Sequence, residues 1–183
     1  MRKVHYYYLI TFLFIGISCN SLKDLAVIGI PMEFERTFNV VANNDVGLSF
    51  QANDTIDFTD NADVAANLDN IDRYEIKKIT YTISKVVSEN KTPKLIDGNI
   101  VFSSFSNEEE QVISSLVNLD LIEVQENSID VDQELSLTTE NIELLAGIFT
   151  TENKIKLSYE ATMDTVVSFT IDVKLGLSLK IGI

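Results

Sequence analysis

The stretch KIKLSYEATMDTVVSFTIDVKLGLSLKI, Lys154 to Ile181, decides the fold class. Ile155, Leu157, Tyr159, Ala161 and Met163 alternate with Lys154, Lys156, Ser158, Glu160 and Thr162. After a short turn at Asp164, Phe169, Ile171, Val173, Leu175, Leu177, Leu179 and Ile181 alternate with the residues from Ser168 to Lys180. Successive side chains point to opposite faces of a strand, whereas a helix repeats every ~3.6 residues, so this period of two excludes a helix. The pattern predicts two long antiparallel strands joined as a hairpin, each with one apolar face.

The same signal recurs upstream in shorter pieces. Met32, Phe34, Phe38 and Val40 share one parity, as do Leu48 with Phe50, Ile56 with Phe58, and Ile79, Tyr81 and Ile83. Asn43, Asn44, Asp45 and Gly47 supply a turn, and Asp97, Gly98 and Asn99 lead into Ile100 and Phe102. Two segments read as helices. Ser106 followed by Glu109 has capping-box spacing, with Val112, Ile113, Leu116 and Val117 on one helical face behind it. From Thr139 to Phe149, Ile142, Leu145, Ala146 and Phe149 follow helical spacing. Between these, Leu119, Leu121, Val124, Ile129, Val131, Leu135 and Leu137 suggest one or two more strands. The sum is a mainly β chain: a two-sheet antiparallel sandwich with two or three short helices in its loops. A membrane barrel is the rival for so many alternating strands, but it calls for aromatic girdles and has no use for a lipid anchor.

The N-terminus follows other rules. Arg2 and Lys3 precede a nearly unbroken apolar run from Tyr6 to Ile17, the length of a signal-peptide core and short of the roughly 20 residues a spanning helix needs. Residues 1–18 are expected to form this signal helix and to be cleaved, 19–31 to be a tether, and 32–183 the domain. All 28 acidic residues lie beyond the signal, while loss of Arg2 and Lys3 takes the basic count from 14 to 12, a formal charge of −16 for the remainder. Such a surface repels phosphate backbones, which excludes nucleic-acid binding. Cleavage also removes His5, the single histidine, and leaves Cys19 as the single thiol. No internal disulfide, His or Cys zinc site, Cys and His dyad or Ser, His and Asp triad can then be assembled.

The run Phe14, Ile15, Gly16, Ile17, Ser18, Cys19, Asn20 resembles the lipobox of bacterial lipoproteins, with Gly16 standing where Leu is usual. The resemblance implies cleavage between Ser18 and Cys19, a diacylglyceryl thioether on the Cys19 sulfur, and a further acyl chain such as palmitate on the new α-amine. Two or more chains hold a protein durably, each buried methylene contributing about 0.8 kcal/mol. Asn20 is unlike the Asp that retains some lipoproteins at the inner membrane, so the implied address is the outer membrane. The strand texture is loosely similar to immunoglobulin-like sandwich lipoproteins of Bacteroidota-type bacteria, many of them uncharacterised. This implies a non-catalytic binding or structural module whose partner is an envelope protein, met at a strand edge, or a glycan. A carboxylate-dependent glycan hydrolase is the alternative.

Candidate sites are few. Asp54, Asp57, Asp60 and Asp63, with Asp69 and Asp72 beyond, recur at multiples of three and offer hard oxygen ligands for calcium. They lack the glycine and terminal glutamate of an EF-hand loop, and a solvated acidic loop or short helix accounts for them equally. Asp130 and Asp132 flank Val131 as a carboxylate pair of the kind acid and base chemistry uses, although alternation points both to solvent. Sugar recognition favours exposed aromatic platforms. The chain has no Trp, Tyr81 and Tyr159 share parity with core residues, and Tyr74 alone is expected to be free. Glu108, Glu109 and Glu110 are explained by the first turn of the predicted helix.

Overall fold

The computed structural model describes residues 27–43, 48–107, 111–127 and 132–182. Eight strands run in chain order: β1 (Val27–Ala42), β2 (Ser49–Asp57), β3 (Ile71–Val87), β4 (Lys94–Ser103), β5 (Gln111–Asp120), β6 (Gln133–Glu134), β7 (Lys154–Met163) and β8 (Val167–Gly182). Helix α1 (Ala62–Asn67) sits between two 3-10 turns, Phe58–Asp60 and Leu68–Asn70; α2 (Leu121–Asn127) follows β5, and α3 (Thr139–Glu152) precedes β7. Among the described residues no helix is long and apolar enough to cross a membrane.

The strands form two four-stranded antiparallel sheets, ordered β1-β8-β3-β6 and β2-β7-β4-β5. The order has a simple origin. β1 pairs with β8, β2 with β7, β3 with β6 and β4 with β5, as in one long ribbon doubled back at the β4–β5 connection. The ribbon then wraps, so that alternate pairs fall in alternate sheets and the seams close through β8–β3 and β7–β4. Two nested Greek keys of this kind make a jelly roll. The two-sheet antiparallel sandwich is as the alternation indicated, but its strand order refines the immunoglobulin-like resemblance, since that fold groups its strands four and three in a different order.

One correction follows at once. β7 and β8 are not partners in a hairpin: the Asp164 turn carries the chain from one sheet to the other. Alternation reports which face of a strand is buried, and both strands bury the expected residues, from Ile155 to Met163 and from Phe169 to Ile181. It carries no information about which neighbour each strand adopts. The N-terminal boundary moves as well, because β1 begins at Val27 and pairs with Gly182, placing residues 27–31 in the sheet and not in a tether. Pro31 is tolerated there because β1 is an edge strand and its nitrogen need not join a ladder.

The predicted helix behind Ser106 is strand β5. Its burial alternates, with Val112, Ser114 and Leu116 inward and Ile113, Ser115 and Val117 outward. Ser114, a buried polar residue, broke the apolar period of two and let the helical spacing of its neighbours stand out. The opposite error occurs next to it, where Leu121–Asn127, read as strand, is helical. Asp120 Oδ1 accepts from the Ile122 and Glu123 amides at 3.0 and 3.2 Å, capping α2. Helix α3 forms where expected and runs on to Glu152, with Thr138 accepting from Asn141 N–H at 3.1 Å and left-handed Asn153 closing its C-terminus. Its buried Leu145, Ile148 and Phe149 cover one end of the sandwich.

Tyr74 is 1% exposed, contrary to its reading as a free platform. A register shift between Ile76 and Lys78 inserts an extra residue into β3, so burial moves from even positions at Tyr74 to odd positions at Ile79, Tyr81 and Ile83. Ahead of the bulge Tyr74 packs with Phe58 (ring centroids 5.2 Å) and Phe149 (6.4 Å), and its hydroxyl donates to Asn153 Oδ1 at 3.1 Å. Phe58 also meets Phe34 at 5.0 Å and Phe149 at 4.8 Å. This cluster ties β1, β3, α3 and the turn after β2 together, each edge-to-face pair contributing about 0.5–1.5 kcal/mol beyond its buried area.

Candidate functional site

The outward face of the β2-β7-β4-β5 sheet is a grid set by strand register. One row crosses all four strands: Gln51 opposite Glu160, Glu160 opposite Asn99, Asn99 opposite Ser115. The next rows on one side are Asn53, Ser158, Val101, Ile113 and then Thr55, Lys156, Ser103, Gln111. On the other side lie Ser49, Thr162, Asp97 and Val117. Directly opposite side chains on one sheet face stand about 4.5–5.5 Å apart, so each row is a line of adjacent side chains. Within the central row Gln51 Nε2 donates to Glu160 Oε1 at 2.8 Å and Ser115 Oγ donates to Asn99 Oδ1 at 2.8 Å.

Two adjoining shallow depressions, about 320 and 460 Å³, open along this face and share Gln51, Asn99 and Glu160 in their walls. Amides, hydroxyls and two carboxylates, Asp97 and Glu160, line them, with Lys156 at one end. Such a surface offers paired donors and acceptors in a plane. β7 made its half of the grid legible, since Lys156, Ser158, Glu160 and Thr162 are the polar parity of the opening stretch. The β5 half was hidden by the helical reading.

The sequence candidates are dispersed by the fold. Asp54, on β2, pairs with Arg36 Nε at 3.1 Å. Asp57 caps the following 3-10 turn, accepting from Thr59 N–H at 2.9 Å and Thr59 Oγ1 at 2.6 Å, bonds that hold its carboxyl below the usual range. Asp60 ends that turn and Asp63 lies in the first turn of α1, where Asn61 caps. Among the described residues no three acidic, His or Cys side chains converge as a metal site. Asp132 does not face solvent freely: it accepts from Thr82 Oγ1 at 2.7 Å and pairs with Lys174 Nζ at 3.1 Å, and both partners lower its pKa. Its companion Asp130, the cleavage pair Ser18 and Cys19, and Glu108 to Glu110 lie outside the described residues.

Glu152 is a site that no motif announced. At the end of α3 its carboxylate accepts from Ser104 Oγ at 2.5 Å, from the Phe105 and Ser106 amides at 2.6 and 3.3 Å, and from the Ser106 hydroxyl. Burial raises its pKa, and these donors together outweigh burial and leave it lowered. The arrangement fastens the chain after β4 to the helix. At that same end Lys154 Nζ lies 3.9 Å from the Phe105 ring centre. At the far end of β1, Val41, Val87 and Val166 stand exposed around an apolar hollow of about 330 Å³.

The fold and face together define a jelly-roll β-sandwich with a hydrogen-bonding sheet surface. No family model matches the chain, and no curated protein does. Solved structures superpose loosely. Desmodium yellow mottle tymovirus matches at 13% identity over 85% of this chain and 90% of the other, with a TM-score of 0.35. The decameric BFDV capsid protein matches at 10% identity over 84% and 98%, with a TM-score of 0.38. Turnip yellow mosaic virus matches at 9% identity over 84% and 96%, with a TM-score of 0.31. Likenesses this loose leave the strand order itself to define the fold.

Proposed function

We propose that this chain is a non-catalytic binding module, held at a bacterial outer membrane by lipid on Cys19, whose ligand lies on the outer face of the β2-β7-β4-β5 sheet. The observation that carries the reading is the unbroken row Gln51, Glu160, Asn99, Ser115. A planar array of amide, carboxylate and hydroxyl groups matches the alternating donors and acceptors of a neutral, hydroxyl-rich glycan. The surrounding negative charge disfavours anionic polymers. Binding is favoured over glycan hydrolysis because Glu160, one of the two carboxylates on this face, is already engaged by Gln51 Nε2 within a row of amide and hydroxyl groups.

Calorimetric titration of the full chain in mild detergent, with neutral and anionic oligosaccharides, tests the ligand reading. Neutral glycans are expected to bind, and Asn99→Ala or Glu160→Gln to weaken binding by about tenfold, the loss of one well-placed hydrogen bond. Equal binding of anionic glycans, or indifference to both substitutions, sinks the site. The anchor is tested separately: Cys19→Ser is expected to release the chain from membranes and end lipid labelling, and unchanged membrane partition in that variant overturns it.

A further inference from the structure

Open sheet edges are templates for further strands, and three of the four edges in this sandwich are visibly blunted. β6 is a two-residue strand. β1 carries Pro31, Glu33, Glu35 and Arg36. β2 carries Asp54 and Asp57, and the Arg36 guanidinium donates to its Thr55 carbonyl from Nε and Nη2 at 3.2 and 2.9 Å. The fourth edge, β5, has no charged residue, Pro or Gly from Gln111 to Leu119 in a chain of net charge −14. Among the described residues β4 is its one ladder partner. Its outward face holds two apolar side chains, Ile113 (47% exposed) and Val117 (61% exposed), spaced evenly about Ser115.

We infer that the β5 edge pairs antiparallel with β5 of a second copy of this chain, about a twofold axis at Ser115. The register is dictated by the pleat. Opposed residues in an antiparallel pair share a face, so the axis must pass through a residue, not between two. At Ser115 it sets Ile113 against Val117 of the second copy, Val117 against Ile113, and Ser115 against Ser115. Both exposed apolar side chains are thereby covered. An axis at Ser114 would instead leave Val117 opposite Gln111. A second copy is also the occupant that the charge pattern selects: two such acidic chains repel over most of their surfaces, and from Gln111 to Leu119 the β5 edge lets them meet with no carboxylate on either strand. Asn118, in the left-handed region at φ 54°, ends the regular edge. Pairing fuses two sheets into one and makes the polar faces continuous; it does not depend on what those faces bind.

The test is a disulfide at the axis, in the full chain in mild detergent with Cys19 kept throughout. Opposed residues in an antiparallel pair have Cα atoms about 4.5–5.5 Å apart, within the range a disulfide spans. Under mild oxidation Ser115→Cys is expected to give a covalent dimer that reductant reverses, above the background of the parent chain and of Asn53→Cys on the opposite edge of the same sheet. Adding Ile113→Lys is expected to cut the yield at least tenfold without changing the circular-dichroism melt. The parent chain should also sediment as a concentration-dependent monomer and dimer. A parent chain that stays monomeric overturns the inference, whatever the variants do. So does cross-linking of Ser115→Cys no greater than that of Asn53→Cys, indifference to Ile113→Lys, or capture of a different protein in place of a second copy.

Discussion

Arg36 on β1 bridges to Thr55 on β2, its guanidinium donating twice to one carbonyl oxygen at 3.2 and 2.9 Å while pairing with Asp54 at 3.1 Å. The contact joins the two sheets along one side of the sandwich and occupies a carbonyl that an open edge strand would otherwise present. Arg36→Ala is expected to lower stability by about 1–2 kcal/mol, less than a fully buried charged hydrogen bond because the side chain is partly exposed. Urea unfolding checks the magnitude, and light scattering checks for the association that an uncovered β2 edge predicts. A variant as stable as the parent would show that the bridge holds nothing.

Two buried tyrosines should respond differently to loss of a hydroxyl. Tyr74 Oη donates to Asn153, whereas Tyr159 Oη is buried without a hydrogen-bond partner among the described residues. Tyr74→Phe is expected to cost about 1 kcal/mol, and Tyr159→Phe to be neutral or stabilising, since it removes an unsatisfied polar group and keeps the ring against Phe38 and Phe50. Thermal melts of the two variants side by side decide this, and equal losses would contradict it.

Stability is expected to fall at both ends of the pH scale, for opposite reasons. The Glu152, Asp132, Glu75 and Asp57 carboxyls are lowered in the folded chain, so the stability they contribute is present above the ordinary carboxylate range and is lost as pH falls through their folded values. Burial pushes Tyr74 up to about 12 and raises Tyr81 and Tyr159, and the Asp132 partnership raises Lys174. For groups raised in this way stability is complete below the unfolded value, near 10 for tyrosine, and is lost as pH rises above it. A melting-temperature profile with tyrosinate absorbance on the alkaline side measures both limbs. Glu152→Gln should flatten the acid limb, and an unchanged limb would remove Glu152 as its source.

Calcium at millimolar concentration is expected to leave the melting temperature where it is. Asp54 already faces Arg36, Asp57 is spent on Thr59, and Asp60 and Asp63 belong to successive helical turns that do not converge on one point. A ligand that binds the folded state alone must raise its stability, so an upward shift with calcium would revive the site.

Where the sequence could be read and where it could not divides along one line. The alternation in β7 and β8 identified the buried residues and the outward polar set from Lys156 to Thr162, because side-chain parity is a property of each strand alone. Helix α3 was legible from its own spacing. β5 and α2 were misread where one residue contradicted its neighbours: Ser114 is buried though polar, and Leu121 keeps strand parity with Leu119 though it begins a helix. Tyr74 was misplaced because a bulge downstream inverts the parity of β3, and a bulge forms only when a strand meets its partner.

By itself, then, the sequence determined that this is a β-rich acidic chain with a known apolar side to its longest strands. Only the tertiary structure decided that β7 and β8 part into different sheets, that Gln51, Glu160, Asn99 and Ser115 line up as one row, and that β5 is left as the uncharged edge. The reason is physical. Which face a strand buries is encoded every two residues along the chain, whereas which strand lies beside it depends on closing long loops around a shared core. Residues 109 apart, such as Gln51 and Glu160, acquire a common purpose only when that closure has occurred.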